Sequence, residues 1–101
     1  MLEWIPVKLM PEADIVVYHT GKIYITGKCE KRSFIYEKQW QFVEDVEKKR
    51  LAMLIVESGK SLYKGYAYIP SIVARDYLGK HRLIPLEDKG FIFEPIKGGK
   101  Q

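Results

Sequence analysis

Cysteine is nearly absent from this 101-residue chain, and the single Cys29 rules out any disulfide within it. One lone thiol fits a reducing compartment, so a cytoplasmic location is expected. Long apolar runs are missing too. The longest, Leu51 to Val56, is six residues, against the roughly 20 that a membrane-spanning helix needs. The opening Met1-Leu2-Glu3-Trp4 lacks the basic start and extended apolar stretch of a secretory signal. No membrane association is therefore expected. Asparagine does not occur and glutamine occurs three times, beside thirteen lysines and nine glutamates. Few labile amides with abundant Lys and Glu is the compositional habit of proteins from very hot environments.

What is present describes a small globular domain. Apolar residues make up 47% and charged residues 30%, outside the range of disordered or fibrous chains. The formal net charge is +4, which suggests an anionic partner, although lysine enrichment for heat stability raises the same number. Residues 1–61 carry net +1 and residues 62–97 net +2, so in chain order the charge is mixed rather than concentrated.

Strand patterns dominate. Ile15 to His19 and Lys22 to Thr26 are β-branched and aromatic runs around Thr20-Gly21, the pattern of a hairpin with Gly21 at positive φ. Leu2 to Leu9 reads as a short edge strand because it contains Pro6. Ser33 to Tyr36 is either a third strand or the approach to a helix. Residues 37–50 have no glycine or proline. Trp40, Phe42, Val43 and Val46 share a broad helical face opposite Glu44, Asp45, Lys48 and Lys49, and this predicts an amphipathic helix. Leu51 to Val56 reads as a buried strand and Leu62 to Ile69 as a tyrosine-rich one.

A short helix is predicted over 71–78, preceded by Pro70, capped by Ser71 and ended by Gly79. Arg82 to Leu86 and Phe91 to Ile96 then form a hairpin about Asp88-Lys89-Gly90. Six or seven strands and two helices make an α+β fold, mainly antiparallel, in one domain over 1–97 with a flexible tail over 98–101.

Few constellations carry chemistry. Gly59-Lys60-Ser61 resembles the end of a phosphate-cradling loop, but Leu54 stands where that loop needs glycine, so a plain turn is expected. Cys29 could pair with His19 or His81 as nucleophile and base. No local signature surrounds it, and its context of Glu30, Lys31 and Arg32 reads as that of a surface thiol. Two histidines and one cysteine match no common zinc spacing. No enzyme, metal or cofactor is expected.

Basic residues interleaved with aromatics point elsewhere. Lys22, Lys28, Lys31 and Arg32 surround the first hairpin with Tyr24 and Phe34; Lys60 and Lys64 lie among Tyr63, Tyr66 and Tyr68. Exposed rings can stack on bases while lysines track phosphates. Against this, tyrosine favours strands for packing reasons alone, as core or cross-strand pairs.

From Gly65-Tyr66-Ala67-Tyr68-Ile69-Pro70 the order runs strand, Ile-Pro, short helix, Leu78-Gly79, hairpin, through Arg75 to Phe91-Ile92-Phe93-Glu94-Pro95. Over residues 62–97 this resembles the AbrB/SpoVT-type swapped-hairpin domain of transition-state regulators and antitoxins. The segment from Ser71 to Gly79 is one residue longer than the family pattern, and Lys80-His81-Arg82 replaces its Pro-Gly-Asp turn. The first 60 residues have no counterpart in that small domain. The resemblance implies an intertwined dimer that binds DNA, with Lys64, Arg75, Lys80 and Arg82 as the contacting residues. The expected function is thus a non-enzymatic, self-associating module for double-stranded DNA. The alternative is a structural or protein-interaction component of an assembly, suggested by Trp4, Trp40, Phe91 and Phe93, which one small core would not bury completely.

Overall fold

The structure, a computed structural model, describes residues 13–96. The expected strand over Leu2 to Leu9, the tail over 98–101 and Trp4 lie outside them. The first hairpin forms as the alternation requires. β1 (Ile15–Val17) pairs antiparallel with β2 (Lys22–Ile25), and Val16 stands opposite Tyr24. Ile15, Val17, Ile23 and Ile25 point inward and are buried. Gly21 takes φ +96° at the turn, a conformation open to glycine at little cost. Ser33 to Tyr36 resolves as part of a one-turn helix, α1 (Arg32–Tyr36).

The amphipathic helix expected over 37–50 does not form. Its residues make β3 (Gln39–Asp45) and the turn into β4 (Arg50–Val56), an antiparallel hairpin in which Asp45 stands opposite Arg50. Two periodicities coincide here. Trp40 and Phe42 satisfy a repeat of two as well as a broad helical face, and Gln39 and Gln41 turn outward. Tertiary contacts decide. Trp40 is fully buried and donates its Nε1–H to the Ile35 carbonyl at 2.9 Å, and Phe42 packs edge-to-face on Phe93. The charges that mimic a helix dipole shape the turn instead. Asp45 accepts the Lys48 N–H and pairs with Arg50, both at 3.2 Å, and Lys49 takes φ +53°. The Lys48 N–H, then Arg50, hold the Asp45 carboxyl below its ordinary range.

β4 leads through Ser58-Gly59, a plain connection as expected, into the two-residue β5 (Lys60–Ser61). β6 (Tyr66–Tyr68) is shorter than the tyrosine-rich stretch suggested. α2 (Ser71–Ala74) is a single turn. Its cap is not Ser71: Pro70 holds that position, and its carbonyl accepts the Val73 and Ala74 N–H groups at 3.0 Å. Residues beyond Arg75 form a further turn rather than helix, and Gly79, at φ +106°, opens the next strand. β7 (Gly79–Leu86) and β8 (Gly90–Pro95) form the expected final hairpin.

All eight strands join one antiparallel sheet in the order β5-β3-β4-β8-β7-β1-β2-β6. Its two ends, β5 and β6, are consecutive in the chain. Laid flat, seven strand spacings would separate them by about 34 Å. The chain from Ser61 to Tyr66 reaches at most about 18 Å. The sheet must therefore curl into a nearly closed barrel. Leu62, fully buried, fills the junction, and Gly65 turns the chain with its N–H on the Leu62 carbonyl at 2.7 Å. The remaining seam is a depression of about 350 Å³ lined by Trp40, Phe42, Gly59 and Lys60 from one end and Ile69 and Pro70 from the other.

The barrel interior holds one core that includes Trp40, Phe91 and Phe93, so these three large groups are not left over for an interface. Among the described residues, no helix is long and apolar enough to cross a membrane.

Gly90, where β8 meets β4, lets the two strands approach closely. A Cβ there would run into the Met53 carbonyl, and its φ of +155° already disfavours a side chain. Gly90→Ala is expected to destabilise the fold by about 2–4 kcal/mol, combining backbone strain and overpacking. Gly27→Ala, which meets only the end of Arg32 at 3.5 Å, should cost under about 1 kcal/mol. Urea unfolding of both variants checks the contrast.

Candidate nucleic-acid interface

Barrel closure gives every strand an inner and an outer face, and the outer face of β7, β1, β2 and β6 is unusual. Cross-strand partners share a face, so the register aligns Lys80, Val16, Tyr24 and Tyr66 in one outward row across the four strands. The next row sets Lys22 opposite Tyr68. Tyr18, Tyr24, Tyr66 and Tyr68 are 44%, 39%, 36% and 51% exposed. The tyrosines of β2 and β6 are thus cross-strand neighbours in solvent, not core. Tyr66 and Tyr68 meet edge to face at 5.9 Å, and the Lys22 ammonium lies 4.9 Å over the Tyr66 ring.

Charge is sorted by strand. β1, β2, β6 and β7 contain Lys22, Lys80 and Arg82 and no carboxylate; Glu44, Asp45 and Glu94 belong to β3 and β8. Lys80 and Arg82 project outward because His81 between them points in. Glu94 stands opposite Arg82 without closing on it. Among the described residues the ion pairs are Arg50–Asp45 and Lys89–Glu87, so none of the nine basic residues singled out in the sequence forms one there.

Arg82 also reaches a depression of about 530 Å³ that it lines with Lys28, Lys31, Asp14 and Glu30. Arg82 thus meets Lys28 and Lys31 from the other half of the sequence. The Asp14 carboxylate is already engaged, accepting the Leu83 N–H at 2.9 Å. The remaining candidates do not join them. Arg32 turns back to the Gly27 carbonyl at 3.1 Å, Lys64 sits in the bend before β6, and Arg75 closes α2. Alternation in Lys22-Ile23-Tyr24-Ile25 and Tyr66-Ala67-Tyr68 already places lysine and tyrosines on single faces. Their union across β2 and β6 depends on a pairing more than 40 positions apart, which no local signal carries.

Cys29, His81 and Tyr77 are engaged in the packing of the barrel. Cys29 is buried, not a surface thiol; its N–H and carbonyl bond to Thr26 and Arg32 in a tight turn that draws it inward. Burial pushes its thiol above the ordinary range, the wrong direction for a nucleophile. His19 lies exposed in the first turn while His81 is 1% exposed in the barrel. The Tyr77 hydroxyl donates to Glu44 at 2.7 Å, and burial with that carboxylate pushes its pKa up to about 12. No group of three His, Cys, Asp or Glu side chains suited to a metal occurs among the described residues. The chain matches no family model, no curated protein and no solved structure.

His81 generates a pH prediction. Its Nε2 lies 2.6 Å from the Tyr77 carbonyl; a carbonyl only accepts, so Nε2 carries the proton. Nδ1 is buried with no partner among the described residues. Burial holds the folded pKa below the ordinary 6.5, so below that pH the unfolded chain takes the proton first and folding stability falls. This contribution is present above about pH 6.5 and is lost as the pH drops through the folded value. Wild type should therefore lose more stability than His81→Phe between pH 7.5 and 5.0. Urea midpoints at the two pH values check it, with the acid sensitivity common to both proteins cancelling in the difference.

Proposed function

We propose that this protein is a non-enzymatic nucleic-acid-binding module whose contact surface is the outer face of β7, β1, β2 and β6. The observation that carries the reading is the sorting of charge: Lys22, Lys80 and Arg82 share a face built from strands without a carboxylate, and Lys28 and Lys31 extend it beside Arg82. These cations form no ion pair among the described residues, and cations that meet phosphates release counterions, which drives salt-sensitive binding. Double-stranded DNA, the partner favoured by the sequence, satisfies this requirement. The resemblance of residues 62–97 to the AbrB/SpoVT type implies Lys64 and Arg75 as contacts too, but they stand in the turn before β6 and at the end of α2, so the proposed surface does not include them. A homo-oligomer would carry two such faces and gain avidity on one polymer.

An electrophoretic or anisotropy titration of a duplex at two salt concentrations tests the proposal. Binding should weaken steeply with salt. Lys80→Ala with Arg82→Ala should lower the slope of log K against log salt by about 0.9 for each phosphate no longer neutralised. Lys48→Ala with Lys89→Ala, in turns rich in carboxylates, should leave affinity and slope unchanged. Absence of binding at low salt, or equal effects of the two pairs, overturns the proposal.

A further inference from the structure

We infer that the preferred ligand is an unpaired nucleic-acid strand whose bases stack on Tyr24, Tyr66 and Tyr68; this rests on the nucleic-acid reading above and specifies the state of its ligand. Cations alone do not distinguish a duplex from a single strand, because both present phosphates. Aromatic rings do. In a duplex the faces of internal bases are covered by their neighbours, whereas an unpaired strand can offer each base to a side-chain ring.

The three rings are contiguous. Tyr24 and Tyr66 are direct cross-strand partners, and Tyr66 and Tyr68 stand two residues apart on the same face. The ring centres of Tyr66 and Tyr68 lie 5.9 Å apart with the planes at 81°, wider than the rise of about 3.4 Å per nucleotide along one duplex strand. That step suits bases drawn out of their stack. Phosphate partners flank the rings: Lys22 lies opposite Tyr68, and Lys80 ends the row that holds Tyr24 and Tyr66. From β6 to β7 the face extends about 14 Å at three strand spacings, room for one base on each ring before the backbone reaches Lys80 and Arg82.

Lys22 shows how the face is occupied at rest. Its ammonium covers Tyr66 from 4.9 Å. An exposed cation–π contact is weaker than stacking of a base on the ring. A passing phosphate therefore draws Lys22 aside and uncovers the ring for the base attached to it. Charge and stacking act in one motion, and the site commits to a polymer carrying both groups.

The test compares a fluorescein-labelled 12-nucleotide oligothymidylate with a 12-base-pair duplex, using the full chain at low salt. The single strand should bind at least about tenfold tighter. Losing one stacked base changes affinity by about 5- to 150-fold, so Tyr66→Leu with Tyr68→Leu should weaken oligothymidylate at least tenfold and leave the duplex unchanged. Tyr66→Phe with Tyr68→Phe, which keeps the rings, should restore binding; circular dichroism melting shows that each variant is folded. Equal affinity for the two probes, or full oligothymidylate binding by the leucine variant, overturns the stacking platform while duplex binding upholds the charged face. Failure of both probes to bind wild type overturns both readings.

Discussion

The connection from Ser61 to Tyr66 is the constraint on which the rest of the molecule depends. It joins the first and last strands of an eight-stranded sheet, and its length is about half of what a flat sheet would require. Curling is therefore obligatory, and with curling comes the division of each strand into an apolar inner row and an outer row that no other layer of the described residues covers. Trp40, Leu62 and Met53 are fully buried because the sheet folds around them, without a second layer of helix. The two short helices serve as links, α1 between the opening hairpin and β3, α2 between β6 and β7. The barrel is a β-structure first, and its helical share is small.

How much of this the sequence discloses depends on the range of the signal. The hairpins of β1 with β2 and of β7 with β8 are local: alternation and turn residues lie within fewer than twenty positions, and both form, with Gly21 in its turn as expected and Gly90 one step past its turn, as the first residue of β8. The segment 37–50 fails because Trp40 and Phe42 fit two periods at once. Burial of Trp40 against Ile35, with Phe91 packed on it from a distant strand, breaks the tie. Cys29 misleads similarly. Its neighbours in sequence are charged, but a turn closed by the Thr26 carbonyl carries their side chains outward and its own inward. Polarity of neighbours is a poor guide to burial wherever the chain reverses direction.

The electrostatic pattern was hidden for a related reason. Counted along the chain, acidic and basic residues alternate and nearly cancel over residues 1–61. Sheet order rearranges them. β7 comes late in the chain yet lies beside β1, and β6 lies beside β2. Cations from both halves of the sequence thus share four adjacent strands, while the carboxylates of β3 and its turn fall on the other side of β8. The same rearrangement sets Tyr24 against Tyr66. Neither gathering costs the core anything, since every residue involved occupies an outward position whose inward neighbour (Ile23, Ala67, His81) supplies the packing.

A sheet with an exposed aromatic face commonly risks pairing edge to edge with another chain, because unpaired N–H and C=O groups recruit further strands. Here near-closure removes most of that risk. The free edges belong to strands of two and three residues, and β6 bends away at Gly65. Strand addition by an extended peptide, which lives on main-chain hydrogen bonds along an edge, has little to grip. What the molecule offers is side chains on a closed surface: flat rings that accept flat partners, and cations that accept anions. A ligand that combines the two engages both, whereas a peptide strand engages neither well.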